Sequence, residues 1–339
     1  MPAIQPLQPS SDTPPTGKGL AWAITGAAGY VAPRHLKAIQ DTGNTLVAAY
    51  DPNDSVGILD SYFPEANFFT EFERFDRHLE KLKRNGTPVQ FLSVCSPNYL
   101  HDAHVRHGLR YGANVICEKP LVLNPWNLDA LQEIEHETGR RVWNLLQLRH
   151  HPQVTALKAM VDSSPPDKIF DLDLTYITPR GRWYYASWKG DESKSGGITT
   201  NIGIHLFDML LWVFGPVQDV QVHVRTHGRA AGYLQLKRAR VRWFLSIEAE
   251  TLPPAIREAG ARTYRSILLE GQAWEFSDGF ADLHTRCYEH VLAGTGWWVE
   301  DARPGVELAY RLRNLPPEMV VETAHELAGM PVIKHPFLK

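Results

Sequence analysis

Cysteine is scarce: Cys95, Cys117 and Cys287 are the only three in 339 residues. Their odd number and wide spacing argue against a disulfide framework. Two of them end apolar, strand-like runs, which reads as a reduced core. Long apolar runs are missing as well. No stretch of about 18 apolar residues occurs, so no transmembrane helix is expected. Residues 1–18 lack a basic start followed by an apolar segment, so no signal peptide is expected, and their Pro, Ser and Thr content predicts a flexible tail. Neither sign of charge prevails: 35 Lys and Arg against 38 Asp and Glu leave a formal charge of −3. That balance gives no hint of a nucleic-acid partner. Together these absences predict a cytoplasmic protein with neither membrane nor nucleic acid as partner.

What is present is ordinary globular composition, 43% hydrophobic and 22% charged, in a chain long enough for two domains. Leu20–Thr25 reads as a short apolar strand. The small-residue turn Gly26-Ala27-Ala28-Gly29-Tyr30-Val31-Ala32 follows, then a helix from Pro33 to Gln40 with proline near its start. Strand, turn and helix N-terminus make a pyrophosphate site, where backbone N–H groups and the helix dipole face an anion. The fingerprint G-x-G-x-x-G/A is degenerate here, and a plain strand–turn–helix is the alternative. A second strand, Thr45–Tyr50, ends in Asp51, about 20 residues beyond the turn, as a ribose-binding acid requires. An aspartate there favours NAD over NADP; otherwise Asp51-Pro52-Asn53 is merely a turn.

A third unit runs Pro88–Cys95 as strand, then Ser96-Pro97-Asn98 and a helix from Tyr99 to Tyr111. Its His101, His104 and His107 recur every three residues, which spreads them too far round a helix to share one ion, so no metal is expected. Ala113–Cys117 is rich enough in β-branched residues for a buried parallel strand. Glu118-Lys119-Pro120 follows at its carboxyl end, where open α/β sheets bind ligands, and the proline keeps Lys119 extended. A last strand, Arg141–Leu148, closes the unit. The expectation is a Rossmann-type, doubly wound parallel sheet over residues 19–148, following a tail over 1–18.

From about residue 168 the period changes to two. Phe170, Leu172, Leu174 and Tyr176, then Val220, Val222 and Val224, then Val241, Trp243, Leu245 and Ile247 alternate mainly with polar residues. Residues 149–339 are therefore expected to form an α+β domain with a largely antiparallel open sheet, for substrate binding and oligomerisation. Between its first strands, Arg180-Gly-Arg182-Trp183-Tyr184-Tyr185-Ala-Ser-Trp188-Lys189 crowds aromatics among cations, a surface suited to a ligand with flat rings and negative charges. An aromatic flap over the core is the alternative. Ile198–Phe214 reads as one helix with Asn201, His205 and Asp208 on one stripe.

Taken together, these motifs resemble the Gfo/Idh/MocA family of sugar oxidoreductases. The resemblance rests on the Gly26–Ala32 turn with His35 behind it, Asp51, Ser96-Pro97-Asn98-Tyr-Leu-His101, Glu118-Lys119-Pro120, and Gly196-Gly197 leading to Asn201, Gly203, His205 and Asp208. Within the family the chain is similar to the UDP-N-acetylglucosaminuronate 3-dehydrogenases of lipopolysaccharide O-antigen biosynthesis. The likeness lies in Trp183–Asp191, Lys194–Ile198, Thr200–His205 and Gln147-Leu-Arg-His-His-Pro152. It implies NAD as cofactor, a UDP-sugar as substrate and a homotetramer. Cofactor contacts would fall on Gly26, Ala28, Gly29, Tyr30, Val31, Asp51, Asn53, Ser96, Pro97, Asn98, His101, Glu118, Lys119 and Gln147. Substrate contacts would fall on Lys119, Arg149, Arg180, Tyr184, Trp188, Lys189, Asn201 and His205.

Many family members carry Asp where this chain has Asn201; the 3-dehydrogenases share the Asn, which reads as a substrate contact. The implied chemistry is oxidation of the sugar C3 hydroxyl, with His205 as base and Lys119 beside the same hydroxyl. Two alternatives stay open: a dehydrogenase of an unactivated sugar or inositol, and a non-catalytic dinucleotide-sensing regulator.

Overall fold

A computed structural model describes residues 17–260, 262–274 and 282–337. The expected tail, residues 1–18, lies almost wholly outside the described residues. Six strands form a parallel sheet: β1 Ala21–Thr25, β2 Thr45–Tyr50, β3 Asn67–Phe69, β4 Phe91–Val94, β5 Asn114–Cys117 and β6 Val142–Asn144. Their order is β3-β2-β1-β4-β5-β6. Chain direction across the sheet reverses between β1 and β4, the switch point above which such sheets hold ligands. Apolar, β-branched strands suit a sheet covered on both faces, and β4 and β5 are buried throughout. The expected strand Arg141–Leu148 is shorter in the structure. Asn144 ends it by donating from Nδ2 to the Cys117 and Glu118 carbonyls, and Gln147–His150 becomes a 3-10 turn.

The second sheet comprises β7 Phe170–Ile177, β8 Val217–Arg225, β9 Arg229–Leu236, β10 Ala239–Ser246, β11 Tyr264–Leu269 and β12 Gln272–Ala273. It runs β12-β11-β7-β10-β9-β8 and is antiparallel except where β7 lies parallel to β10. That pair is central, so β10 is mostly buried rather than half-exposed; Trp243 is fully buried with its ring edge against Phe207.

The helix expected over Ile198–Phe214 is two helices, Gly197–Asn201 and Ile204–Phe214. Gly203 sits at the break. A Cβ there would approach Leu245, the Thr199 carbonyl and Phe207 to 2.6–2.7 Å. Glycine thus lets the chain bend against β10, and Asn201 leaves the stripe carrying His205 and Asp208. Among the described residues, no single helix is long and apolar enough to cross a membrane.

Two late helices return to the first sheet. Leu283–Leu292 buries Cys287, Tyr288 and Val291 in one cluster with Trp22 and Ile24, and the Tyr288 ring stacks on Trp22. Val299–Asn314 packs Val299, Ala302, Val306 and Ala309 into the parallel sheet's core, and Leu308 and Leu312 into the core of the second sheet. A division of the chain at 148/149 therefore leaves two helices of the later segment packed on the earlier sheet. The second of them belongs to both cores and fixes the two sheets relative to each other.

Candidate active site

The β1 turn is built around Gly26, whose φ is +84°. A Cβ there would lie 2.5 Å from the Cys95 carbonyl group and the Ser96 nitrogen, so only glycine lets the ends of β1 and β4 approach this closely. The helix Ala32–Asp41 then starts with proline in its first turn and no side-chain cap, its Ala32 and Arg34 N–H groups bonding the Gly29 and Val31 carbonyls, and its positive dipole end faces the turn. Asp51 ties β2 to this turn. Its Oδ2 accepts the Ala28 N–H at 3.0 Å, and its Oδ1 accepts from the Asn53 backbone and side chain at 2.9 and 3.0 Å. Gln147 Oε1 is buried with no hydrogen-bond partner among the described residues. A glycine-lined turn, an anchored carboxylate and an orphaned acceptor fit a bound dinucleotide.

Glu118 and Lys119 stand at the end of β5. Lys119 is half-buried, and among the described residues no carboxylate pairs with its Nζ. Glu118 faces away from any open space, into a pair of histidines: Oε1 accepts from Nε2 of His35 at 3.2 Å and of His284 at 3.0 Å. Burial would raise its carboxyl, but the two imidazoles outweigh burial and hold it well below the usual carboxylate range. His35, Glu118 and His284 offer three atoms close enough to hold a metal. Hydrogen bonding already accounts for each of those atoms, so no ion is required.

His205 begins the helix Ile204–Phe214, half-buried, with its ring edge toward Tyr176. Its Nδ1 is buried without a partner among the described residues. Burial first, then the Lys119 and Arg265 charges, push the imidazole well below its ordinary value, while Glu118 pulls the other way. The ring is therefore neutral at pH 7 and able to take a proton. Asn201 joins the two halves of the site: Oδ1 accepts from Asn98 at 3.3 Å, and Nδ2 donates to the Tyr184 hydroxyl at 2.9 Å. Asn98 also donates to the Ser195 carbonyl at 2.9 Å.

The cationic-aromatic stretch folds into short turns, Arg182–Ala186, Trp188–Gly190 and Glu192–Ser195. Arg180 and Arg182 are exposed, and the Lys189 ammonium lies 4.4 Å from the Trp188 ring centroid. Burial and then Arg180 lower the Lys189 pKa. Cations held this way, without a carboxylate on Arg180 or Lys189 among the described residues, suit an anionic ligand.

Four residues expected to touch ligands are turned elsewhere. Arg149 is buried and makes a two-pronged pair with Asp208, Nε to Oδ2 at 3.1 Å and an Nη to Oδ1 at 2.6 Å. Its guanidinium also donates to the Asp301 carbonyl at 2.9 Å, which makes it a brace rather than a substrate ligand. His101 spans the Pro120 and Ser96 carbonyls at 2.6 and 2.8 Å, fully inside the protein. Ser96 directs its hydroxyl to His104, leaving only its backbone at the turn. Glu118, as described, supports Lys119 from behind. The histidine triplet of the third unit also divides: His104 bonds Thr25 and Ser96, and His107 faces Asp76.

Sequence reasoning missed His284, Tyr288 and Arg265. His284 and Tyr288 are four apart on one buried helix face with Cys287 and Val291. A polar pair on such a face was the available signal.

Residues 20–145 match the NAD-binding Rossmann fold of the Gfo/Idh/MocA oxidoreductase family, and residues 168–252 match that family's C-terminal alpha/beta domain. The WlbA (WbpB) dehydrogenase of Thermus thermophilus, solved with NAD and alpha-ketoglutarate, is 51% identical, covering 90% of this chain and 99% of its own, at a TM-score of 0.87. The same enzyme solved with NAD and UDP-GlcNAcA is 50% identical, covering 94% and 100%, at a TM-score of 0.86. Glucose-6-phosphate 3-dehydrogenase of Bacillus subtilis is 25% identical over 195 residues, 56% of this chain and 53% of its own. Matches to curated relatives span about half of those proteins or less. With both family regions in sequence order, and a dinucleotide turn and Lys119 where the fold places them, the chain belongs to the Gfo/Idh/MocA oxidoreductase family.

Proposed function

We propose that the protein uses NAD to oxidise the C3 hydroxyl of UDP-N-acetylglucosaminuronic acid to a ketone. The observation that carries this reading is the half-identical T. thermophilus enzyme solved with NAD and UDP-GlcNAcA, matched over its full length. The site's chemistry supports it. A uracil ring, a diphosphate and a carboxylate need flat surfaces and cations, which Trp188, Lys189 and Arg180 offer. An unactivated sugar or inositol would leave those cations without a purpose.

NAD, when bound, supplies the hydride acceptor. His205, neutral by virtue of its burial and the neighbouring Lys119 charge, takes the hydroxyl proton. Lys119 stands beside the same oxygen and stabilises the negative charge developing there. Asn201 orients the sugar while holding Asn98 and Tyr184 in register. The same reading, supported by the family likeness, makes the protein a cytoplasmic homotetramer of lipopolysaccharide O-antigen biosynthesis.

The test is to mix protein, NAD and UDP-N-acetylglucosaminuronic acid and follow reduced-cofactor absorbance, with UDP-N-acetylglucosamine and free sugars as comparison. Adding alpha-ketoglutarate, the ligand of the other T. thermophilus structure, shows whether a 2-oxo acid reoxidises the cofactor in place. Turnover of a free sugar but of neither nucleotide sugar would overturn the proposal. Asp51→Ala should weaken NAD binding roughly 10- to 100-fold, the range for a charge-assisted hydrogen bond, as read by quenching of protein fluorescence. Unchanged affinity would remove Asp51 from the ribose site.

A further inference from the structure

We propose that His284 is the positioning residue that holds the Glu118–Lys119 peptide in place, acting from a helix 166 residues further along the chain. The inference rests on the proposed function only for its kinetic arm. Glu118 is buried at the end of β5 and uses both carboxylate oxygens. Oε1 receives His35 and His284, and Oε2 receives the Lys119 backbone N–H at 3.2 Å. That last bond sets the direction in which the Lys119 side chain leaves the strand.

One continuous run of hydrogen bonds supports this arrangement. Ser93 Oγ lies 2.7 Å from the Tyr288 hydroxyl, which lies 2.7 Å from His35 Nδ1, and His35 Nε2 reaches Glu118. With one proton on His35, the directions follow: Ser93 donates to Tyr288, Tyr288 to His35 Nδ1, and His35 Nε2–H to the carboxylate. His35 is then neutral, in keeping with the lowering of its pKa by burial. The run ends on one oxygen of a buried carboxylate, which needs a second donor there. His284 Nε2–H supplies it, at 3.0 Å.

His284 does not itself touch the reacting atoms, and Tyr288, four residues on, anchors the same helix by stacking on Trp22. The helix Leu283–Leu292 thereby places one imidazole against the parallel sheet, under the residue that faces the sugar. With that donor removed, Glu118 would be free to swing, and the Lys119 N–H would lose its acceptor.

Two variants and two readouts test this. His284→Leu removes the donor at similar bulk, and His284→Gln restores an N–H donor. The first readout is hydrogen exchange of the Lys119 amide in the ligand-free protein. The second is turnover of UDP-N-acetylglucosaminuronic acid, split into kcat and KM. His284→Leu should speed Lys119 exchange at least about tenfold and lower kcat on the order of 10- to 100-fold, the cost of a misplaced catalytic group, with KM for NAD unchanged. His284→Gln should recover most of both.

Unaltered Lys119 exchange in His284→Leu would overturn the proposal, as would equal damage by Leu and Gln. Loss of wild-type turnover on chelation, restored by zinc, would also overturn it, because the three side chains would then be metal ligands. A wild-type protein inactive on the nucleotide sugar, but showing the expected exchange pattern, would defeat the proposed substrate and leave the positioning role supported.

Discussion

Replacing His205 with asparagine should slow oxidation of the sugar on the order of 10²–10⁴-fold, the usual contribution of a general base, while NAD binds as before. Asparagine keeps a polar side chain of similar reach but has no basic nitrogen. The pH dependence gives an independent check. A base works unprotonated, and burial with the Lys119 and Arg265 charges lowers the His205 pKa well below 6.5. The acid limb of kcat/KM should therefore lie below pH 6.5, with a flat profile from there to pH 8. A His205→Asn rate near wild type, or a profile that halves at pH 6.5 or above, would take His205 out of the proton step. Steady-state rates across the pH range, with NAD affinity measured by fluorescence, settle both points.

The second large effect is on stability. Asp208→Ala should cost about 3–5 kcal/mol, because it strands the Arg149 guanidinium in the interior with its principal partner gone. Both side chains of the pair are under a tenth exposed, so water cannot replace the lost carboxylate. The remaining partners, the Asp301 carbonyl at 2.9 Å, the Asp301 carboxylate at 3.7 Å and the Trp297 ring, do not replace the lost two-pronged bond. Replacing both members with apolar residues of similar volume should recover much of the loss, since burying the pair itself contributes little net. Urea denaturation of the three variants decides the matter. A loss under about 1 kcal/mol for Asp208→Ala, with a raised KM in an Arg149 variant, would return Arg149 to the substrate.

Much of the site was legible because its motifs are local. The turn at Gly26 is fixed by a strand, small residues and Pro33 within about a dozen positions. Asp51 follows a strand whose six residues were read with their correct ends. Glu118-Lys119 lies at the end of a run whose β-branched residues fit only a buried strand. The broken helix at Gly203 was not legible. Ile198–Phe214 has helical composition throughout, and the reason for the bend is the approach of Leu245 from β10. The parallel pairing of β7 with β10 was hidden for a similar reason: period two reports which face is buried, not which neighbour a strand takes or in which direction.

The sequence by itself determined the alternating strands and helices and the glycine-led turn after β1, and it offered Lys119 and His205 as the groups proposed for the chemistry. Those follow from periodicity and from what single side chains do. Tertiary structure alone decided that Arg149 braces Asp208, that His101 and Ser96 face inward, and that Glu118 is held by His35 and His284. These assignments join residues from 59 to 166 positions apart in the Arg149 and His284 cases. A buried charge takes whichever partner the packed cores bring to it, and no local pattern encodes that choice.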